Sequence, residues 1–252
     1  MYTMKCSLKN CYGIYNPKKL YAIIGNPKIS QEDMPSTEEY CALHTSSPDE
    51  ALTEVYRSVM LHTANPYMAS SPYQGTLLQM LAAIVQPETS VEIGSHAGYG
   101  AMCIARGMNG HGILHLIESD EEYEPIIMQH ARTAGLDPYI RLHIGQAAEI
   151  IPSLPDSIAL AYIDADKENY DRYYTLLLPK MKPGGILLFD NMLWYGRVID
   201  FADKPDPSNS QLRCNRETRA IHALNQRITT DTRVENILLP VRDGLMLCRV
   251  KE

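Results

Sequence analysis

ALAYIDADKENY, residues 159–170, is the stretch that most directly indicates the fold. Residues 159–163 are largely apolar, and a short continuous apolar run is typical of a strand buried on both faces of a parallel sheet. Charged side chains begin where the run ends, at Asp164, Asp166, Lys167 and Glu168. In open parallel sheets ligands bind beyond the carboxyl ends of the strands, so these side chains are candidate site residues.

A second apolar run is followed by polar side chains in the same way. Residues 185–189, GILLF, precede Asp190 and Asn191. If the two strands are adjacent, Asp164, Asp190 and Asn191 meet at one point and offer only oxygen ligands, which suit Mg²⁺, Mn²⁺ or Ca²⁺ better than zinc. The alternative is that each aspartate merely caps the helix that follows it. Lys167, three residues after Asp164, favours the site over the caps.

The length, the net charge and the cysteines limit the classes of protein to which this chain can belong. The 252 residues suffice for one large α/β domain, and a formal net charge of -7 argues against nucleic acid as a partner. Six cysteines form no CxxC pair, which indicates reduced thiols and a cytoplasmic protein. Neither a signal peptide nor a membrane span is predicted, so no membrane partner is expected.

Strand and helix patterns alternate from residue 90 onward, which predicts a parallel sheet with helices on both faces. The predicted strands are residues 91–93, 113–117, 140–144, 159–163, 185–189, 234–239 and 245–250. The predicted helices are residues 98–107, 120–134, 147–154, 169–178 and 212–229. Asp243-Gly244 is a hairpin signal, so the last strand is expected to run antiparallel.

Two helices are predicted upstream, with starts at Ser47-Pro48 and Ser71-Pro72, because a capping serine precedes a proline at each. Residues 1–45 show no sustained period and are interpreted as an N-terminal arm. Regular structure is therefore expected to begin at Ser47, and residues 46–252 form the predicted domain.

The first strand of the alternating region leads into a glycine-rich turn, VEIGSHAGYG, residues 91–100. Glycines at such a turn let a ligand approach the backbone and leave N–H groups free at a helix N-terminus. Their spacing does not fit the GxGxxG pattern of nicotinamide enzymes. Glu92 lies in the strand, and Glu118 ends the next strand, where it is placed to accept ribose hydroxyls. This combination resembles the S-adenosylmethionine site of the class I methyltransferase fold.

Five stretches together resemble the cation-dependent O-methyltransferase family that includes caffeoyl-CoA and catechol O-methyltransferases. They are MASSPYQG (68–75), VEIGSHAGYG (91–100), YIDADKENYD (162–171), KPGGILLFDNMLWYGRV (182–198) and LLPVRDGLML (238–247). The resemblance covers roughly residues 50–252. It implies a Rossmann-like fold with a seven-stranded, mostly parallel sheet, a homodimer, bound S-adenosylmethionine and a divalent metal, most simply Mg²⁺.

The resemblance also implies roles for individual residues. By position, Asp164, Asp190 and Asn191 would bind the metal, and Lys167 would be the catalytic base beside Asp164. The predicted cofactor contacts are Met68, Ser70, Glu92, Gly94, Ser95, Tyr99, Gly100, Glu118, Ala147 and Asp164. Trp194 and Asp243 match positions beside the acceptor, which is expected to be a small aromatic molecule with two adjacent oxygens, as in a catechol or caffeoyl group.

Two departures from the family pattern stand out. Residues 97–100, AGYG, replace the usual TGYS, so a hydroxyl near the methionine carboxylate is missing at Gly100, and Ser95 is a candidate substitute. The tyrosine-rich arm is longer than the family's usual N-terminus. A metal-independent methyltransferase of another small molecule and a non-catalytic cofactor-binding protein on the same fold both remain as alternatives.

Overall fold

The computed structural model describes residues 36–203 and 212–252, and the chain divides into two units, residues 1–46 and 47–252. The described part of the first unit contains one helix, α1 (Thr37–Leu43). Its start is a capping box: Ser36 Oγ accepts from the Glu39 N–H, and the Glu39 carboxylate accepts from the Ser36 N–H. The prediction that regular structure begins at Ser47 is therefore wrong. Most of the predicted arm lies outside the described residues.

The second unit alternates helices and strands in the predicted order. Its helices are α2 (Glu50–His62), α3 (Pro72–Val85), α4 (Tyr99–Gly107), α5 (Glu124–Ala134), α6 (Ala147–Ile150), α7 (Tyr170–Leu177), α8 (Arg197–Asp203) and α9 (Leu212–Thr230). Its strands are β1 (Thr89–Ile93), β2 (Ile113–Glu118), β3 (Ile140–Ile144), β4 (Ile158–Ile163), β5 (Met181–Phe189), β6 (Val234–Leu239) and β7 (Leu245–Val250).

All seven strands form one sheet in the order β3-β2-β1-β4-β5-β7-β6. β7 runs antiparallel to both β5 and β6, and the other pairs are parallel, which confirms the predicted topology. The chain changes direction across the sheet between β1 and β4. In such sheets the crevice at that change of direction is the usual ligand site.

Side-chain alternation along the buried strands divides the core into two layers. On β4, Ala161 and Ile163 pack into one apolar cluster with α7 and α9, whereas Leu160 and Tyr162 pack into another with α2, α3, α4 and α5. All six residues of β4 are buried. Because successive side chains of a strand point to opposite faces, such a strand reads as one continuous apolar run in the sequence.

Side-chain caps fix the starts of the two helices that precede the sheet. Asp49 Oδ1 accepts from the Leu52 N–H at 2.8 Å and caps α2, so the cap is Asp49 and not the predicted Ser47. Ser71 Oγ accepts from the Gln74 N–H at 3.3 Å and caps α3, with Pro72 as its first residue, as predicted.

Within the described ranges, no helix combines the length and the apolar character needed to cross a bilayer. Cys41, Cys103 and Cys248 are free thiols.

Stability is expected to fall on mild acidification because of a histidine pair on β2 and β3. His115 Nδ1 lies 3.0 Å from His143 Nε2. Burial lowers the pKa of both imidazoles, and the charges of His143 and Arg141 lower that of His115 further. The unfolded chain, with histidine pKa values near about 6.5, therefore binds protons first as the pH falls. The pair's contribution is complete above about pH 6.5 and is lost below it.

Urea unfolding of the native protein and of His143→Gln at pH 7.5 and pH 5.5 measures this effect. The drop in unfolding free energy should be smaller in the variant. An equal drop in both proteins would assign the acid sensitivity to other groups.

Candidate functional site

Main-chain hydrogen bonds join the loops that leave β1, β4 and β5. The Asp164 N–H donates to Ile93 O at 2.9 Å, and the Asp190 N–H donates to Ile163 O at 3.0 Å. A Cβ atom at Gly94 would lie 2.1 Å from the Asp164 carbonyl oxygen, and Gly94 has a φ of +84°. Glycine is therefore required at this position for the glycine-rich turn to pack against the end of β4.

The crevice holds a cavity. It is lined by the glycine-rich turn, by the loop that precedes α3 and by the end of β4. Eight of the predicted cofactor residues line it: Met68, Ser70, Glu92, Gly94, Ser95, Tyr99, Gly100 and Asp164. Ala69, His96 and Tyr162, which were not predicted, complete the lining. Glu118 and Ala147 are not among the lining residues, and Ala147 packs at the start of α6 in an apolar cluster.

Several buried polar atoms of this lining have no hydrogen-bond partner among the described residues. They are Glu92 Oε2, Ser95 Oγ, His96 Nε2 and Tyr99 Oη. Burial, together with the negative charges of Asp164 and Glu118, raises the pKa of Glu92 to about 8. Unsatisfied buried groups are costly and rare, so this set fits a polar ligand that carries a positive group for Glu92 to bind.

A side chain at position 100 would meet the Glu92 carboxylate. A Cβ atom at Gly100 would lie 2.7 Å from Glu92 Oε1 and 3.4 Å from Ser70 Oγ. A serine there would require the Glu92 carboxylate to move. The Glu92 carboxylate thus occupies the space that a side chain at position 100 would need. The Ser95 hydroxyl lines the same cavity.

Glu118 lies at the end of β2, as predicted, and its carboxylate holds the glycine-rich turn. Glu118 Oε2 accepts from the His96 N–H at 2.7 Å. Glu118 Oε1 accepts from the N–H groups of Ser119 and Asp120 at 2.7 and 3.0 Å. These bonds fix the orientation of the carboxylate and leave acceptor capacity on Oε2.

A buried hydrogen-bond network surrounds the Asp190 carboxylate. Asp190 Oδ2 accepts from Gln74 Nε2 at 2.6 Å and from the Tyr162 hydroxyl at 2.8 Å, and Oδ1 accepts from the Asn191 N–H at 2.7 Å. Burial, together with the negative charge of Asp164, raises the pKa of Asp190 to about 6. A cation beside the two carboxylates would favour their ionised forms.

Lys167 connects the end of β4 to α7. Its Nζ donates to Asp164 Oδ1 at 2.9 Å and to the Tyr170 hydroxyl at 2.6 Å, and the lysine is only 7% exposed. Burial raises the pKa of Tyr170 well above its usual range, so its hydroxyl keeps its proton. That hydroxyl lies 3.2 Å from Ile163 O and from Asp190 O, which places the lysine against both strand ends.

The segment after β5 is held in an unusual backbone conformation. Asn191, Trp194 and Tyr195 have φ values of 60°, 47° and 55°. Such conformations cost about 1–3 kcal/mol each and persist only where neighbours enforce them. Here the hairpin residue Asp243 contributes, because its carbonyl accepts from the Leu193 N–H and its carboxylate from the Tyr195 N–H. Trp194 Nε1 and Asp243 Oδ2 are buried and have no hydrogen-bond partner in the part of the chain that the structure describes.

The oxygen ligands predicted for a metal fit a hard cation by their chemistry and location. Ile163 pairs with Phe189, so Asp164 and Asp190 are next to each other at adjacent strand ends. The side-chain bonds of neither aspartate cap a helix, in contrast to the alternative interpretation. Among the described residues, no three His, Cys, Asp or Glu side chains cluster to hold a metal. The predicted set therefore depends on the amide of Asn191.

Several residues of the site were not predicted from the sequence. They are Gln74, His96, Tyr162, Tyr170 and Arg242. Gln74 and Arg242 are 168 positions apart in the chain and meet only through the fold. The contact of Tyr170 with Lys167 could have been predicted, because residues three positions apart in a helical turn lie on the same face.

The chain is similar to known proteins both in sequence and in fold. The profile of a family described as O-methyltransferase matches residues 43–251. A probable caffeoyl-CoA O-methyltransferase 3 of Dictyostelium discoideum is 29% identical over 249 residues, which are 93% of this chain and 96% of that protein. Caffeoyl-CoA O-methyltransferase 2 of Zea mays is 31% identical over 79% of this chain and 76% of that protein. The SAH-bound structure of methyltransferase PaMTH1 from Podospora anserina has a TM-score of 0.76 and 25% identity, over 87% of this chain and 98% of that chain.

Proposed function

This chain belongs to the O-methyltransferase family, and we propose that it transfers the methyl group of S-adenosylmethionine to a small aromatic acceptor. The acceptor carries two adjacent oxygens, as in a catechol or caffeoyl group, and the reaction uses a divalent cation. The observation that carries the proposal is the meeting of Asp164, Asp190 and Lys167 beside a cavity with unpartnered polar atoms.

The cavity residues would bind the cofactor. S-adenosylmethionine supplies a methyl group that is already activated on a sulfonium. Glu92, whose Oε2 has no partner, would accept from the amino group of the methionine moiety. Ser95 would donate to its carboxylate in place of the hydroxyl that Gly100 lacks. Glu118 would accept from the ribose hydroxyls through the free acceptor site on Oε2.

Asp164, Asp190 and Asn191 would hold the cation, with Mg²⁺ as the first candidate. A bound divalent cation lowers the pKa of an acceptor hydroxyl that it contacts. The three residues would supply three oxygens, fewer than the six or more ligands that such a cation prefers. An acceptor with two adjacent oxygens would therefore suit the site, and binding through both oxygens would orient the reactive one.

Lys167 would accept the proton of that hydroxyl through its Nζ atom, in the form of the lysine that carries no charge. Its bonds to Asp164 Oδ1 and to the Tyr170 hydroxyl fix the position of Nζ. The Trp194 ring centroid lies 6.0 Å from the same Nζ. The ring of the acceptor would rest against Trp194, with Asp243 beside it.

A matched pair of acceptors tests the proposal. A catechol should be methylated in the presence of Mg²⁺, and the monophenol that lacks one hydroxyl should be a poor substrate, because it cannot fill both positions. EDTA should stop the reaction, and excess Mg²⁺ should restore it. Equal methylation of both acceptors, or no effect of EDTA, would support the metal-independent methyltransferase instead. No methylation of any acceptor, with cofactor still bound, would support a non-catalytic protein.

Glu118→Ala is expected to weaken S-adenosylmethionine binding by about 10- to 100-fold, because a hydrogen bond to a charged group contributes about 1.5–3 kcal/mol. Calorimetric titration with the cofactor alone measures this loss. Glu122→Ala is the matched control, since it removes an exposed acid four residues later. Equal affinity of the Glu118 variant and the control would remove Glu118 from the site.

A further inference from the structure

We propose that Gln74 and Arg242 are positioning residues that orient the Asp190 carboxylate for the cation. This inference rests on the proposed function and goes beyond its ligand set. It is carried by a chain of three buried or part-buried hydrogen bonds: Arg242 Nη1 donates to Gln74 Oε1 at 2.7 Å, and Gln74 Nε2 donates to Tyr162 Oη at 3.0 Å and to Asp190 Oδ2 at 2.6 Å.

The chemistry of the two ends fixes the direction of the Gln74 amide. A guanidinium can only donate hydrogen bonds, and an ionised carboxylate can only accept them. The amide oxygen must therefore face Arg242, and the amide nitrogen must face Asp190. Gln74 is 1% exposed, so without Arg242 its amide oxygen would lose this hydrogen bond inside the protein. The amide would then no longer be held with its nitrogen toward Asp190.

The network leaves one side of Asp190 available. Oδ2 accepts two bonds, from Gln74 and Tyr162, which use its acceptor capacity. Within the described ranges, Oδ1 accepts from the Asn191 N–H alone and keeps a second acceptor site. The two donors on Oδ2 are an amide and a phenol hydroxyl. They hold the carboxylate in one orientation through Oδ2 and leave Oδ1 for the cation.

Arg242 is placed for this contact at a cost in backbone energy. Its φ is 50°, in the left-handed region that glycine adopts more easily. It lies in the connection between β6 and β7, directly before Asp243. A residue that serves only the turn would be better as glycine, so the side chain of Arg242 has a use that offsets the backbone strain.

Arg242→Gly, made in the full chain, distinguishes a role in positioning Asp190 from a role in the turn between β6 and β7. The variant removes the guanidinium and relieves the strained φ, so its unfolding midpoint in urea should equal or exceed that of the native protein. Its affinity for Mn²⁺, titrated alone by calorimetry, should fall by about 10- to 100-fold, as expected when a partner of a metal ligand is lost. Gln74→Leu should weaken Mn²⁺ binding at least as much, and Arg242→Lys should restore part of it.

Arg249→Ala is the matched control, because it removes an exposed arginine of the same hairpin that pairs with Glu235. It should bind Mn²⁺ as the native protein does. If the native protein binds no Mn²⁺, the cation site itself is refuted and the inference fails with it. If the native protein binds Mn²⁺ and Arg242→Gly binds it equally well, only the inference is overturned. A loss of affinity that accompanies a lower unfolding midpoint would give Arg242 a purely structural role and would also overturn it.

Discussion

Asp164→Asn is expected to lower methyl transfer by about 10²- to 10³-fold or more, the size of effect that follows loss of one key electrostatic group. Asp164 lines the cavity that is proposed to hold the cofactor, pairs with Lys167 at 2.9 Å and belongs to the proposed cation ligands. Asparagine keeps the shape of the side chain and removes its charge. Steady-state assay of a catechol with saturating Mg²⁺ measures the loss, and calorimetry should show weaker Mn²⁺ binding.

The chain supplies a matched control for this substitution. Asp156 precedes β4, whereas Asp164 follows it, and Asp156 pairs with Lys180 at 3.0 Å. Asp156→Asn therefore removes the same charge from a second, more exposed lysine pair at the opposite end of the same strand. It should leave turnover unchanged. If Asp164→Asn keeps more than about a tenth of native turnover, Asp164 is neither a cation ligand nor a catalytic residue.

The parts of the structure that were predictable are those where local pattern and topology agree. β4 is apolar throughout because both its faces are buried, and Asp164 follows it because the crevice begins there. The same reasoning located β5 and Asp190. Once two adjacent strand ends are known, their first polar residues must lie together.

The parts that were not predictable depend on contacts between distant residues or on competing local signals. Nothing near Gln74 in the sequence indicates that its amide bridges Arg242 and Asp190. The space at Gly100 depends on the rotamer of Glu92, which burial and packing decide. Helix α1 was missed for another reason, because its four-residue capping signal at Ser36–Glu39 is short and no long apolar pattern follows it.

Lys167→Met is expected to lower kcat by about 10²- to 10⁴-fold, the usual contribution of a positioned acid or base. Methionine has a similar length and fills the same space, but it cannot accept a proton. The bonds of Nζ to Asp164 Oδ1 and Tyr170 Oη show that this atom is held in place rather than exposed to solvent. Lys167 is not itself a proposed ligand, and its replacement removes a positive charge beside Asp164. Mn²⁺ should therefore bind at least as tightly as it does to the native protein, and S-adenosylmethionine should still bind.

Lys180→Met is the control for the lysine. Lys180 is also largely buried, pairs with Asp156 and precedes β5 at the end of the sheet away from the crevice. This variant should keep native kcat, because it removes the same kind of ion pair without touching the acceptor. A Lys167 variant with near-native kcat would show that the acceptor loses its proton to another group. If the Lys167 variant instead loses Mn²⁺ affinity in parallel with kcat, the lysine acts by positioning Asp164. Another group in the crevice would then have to accept the proton.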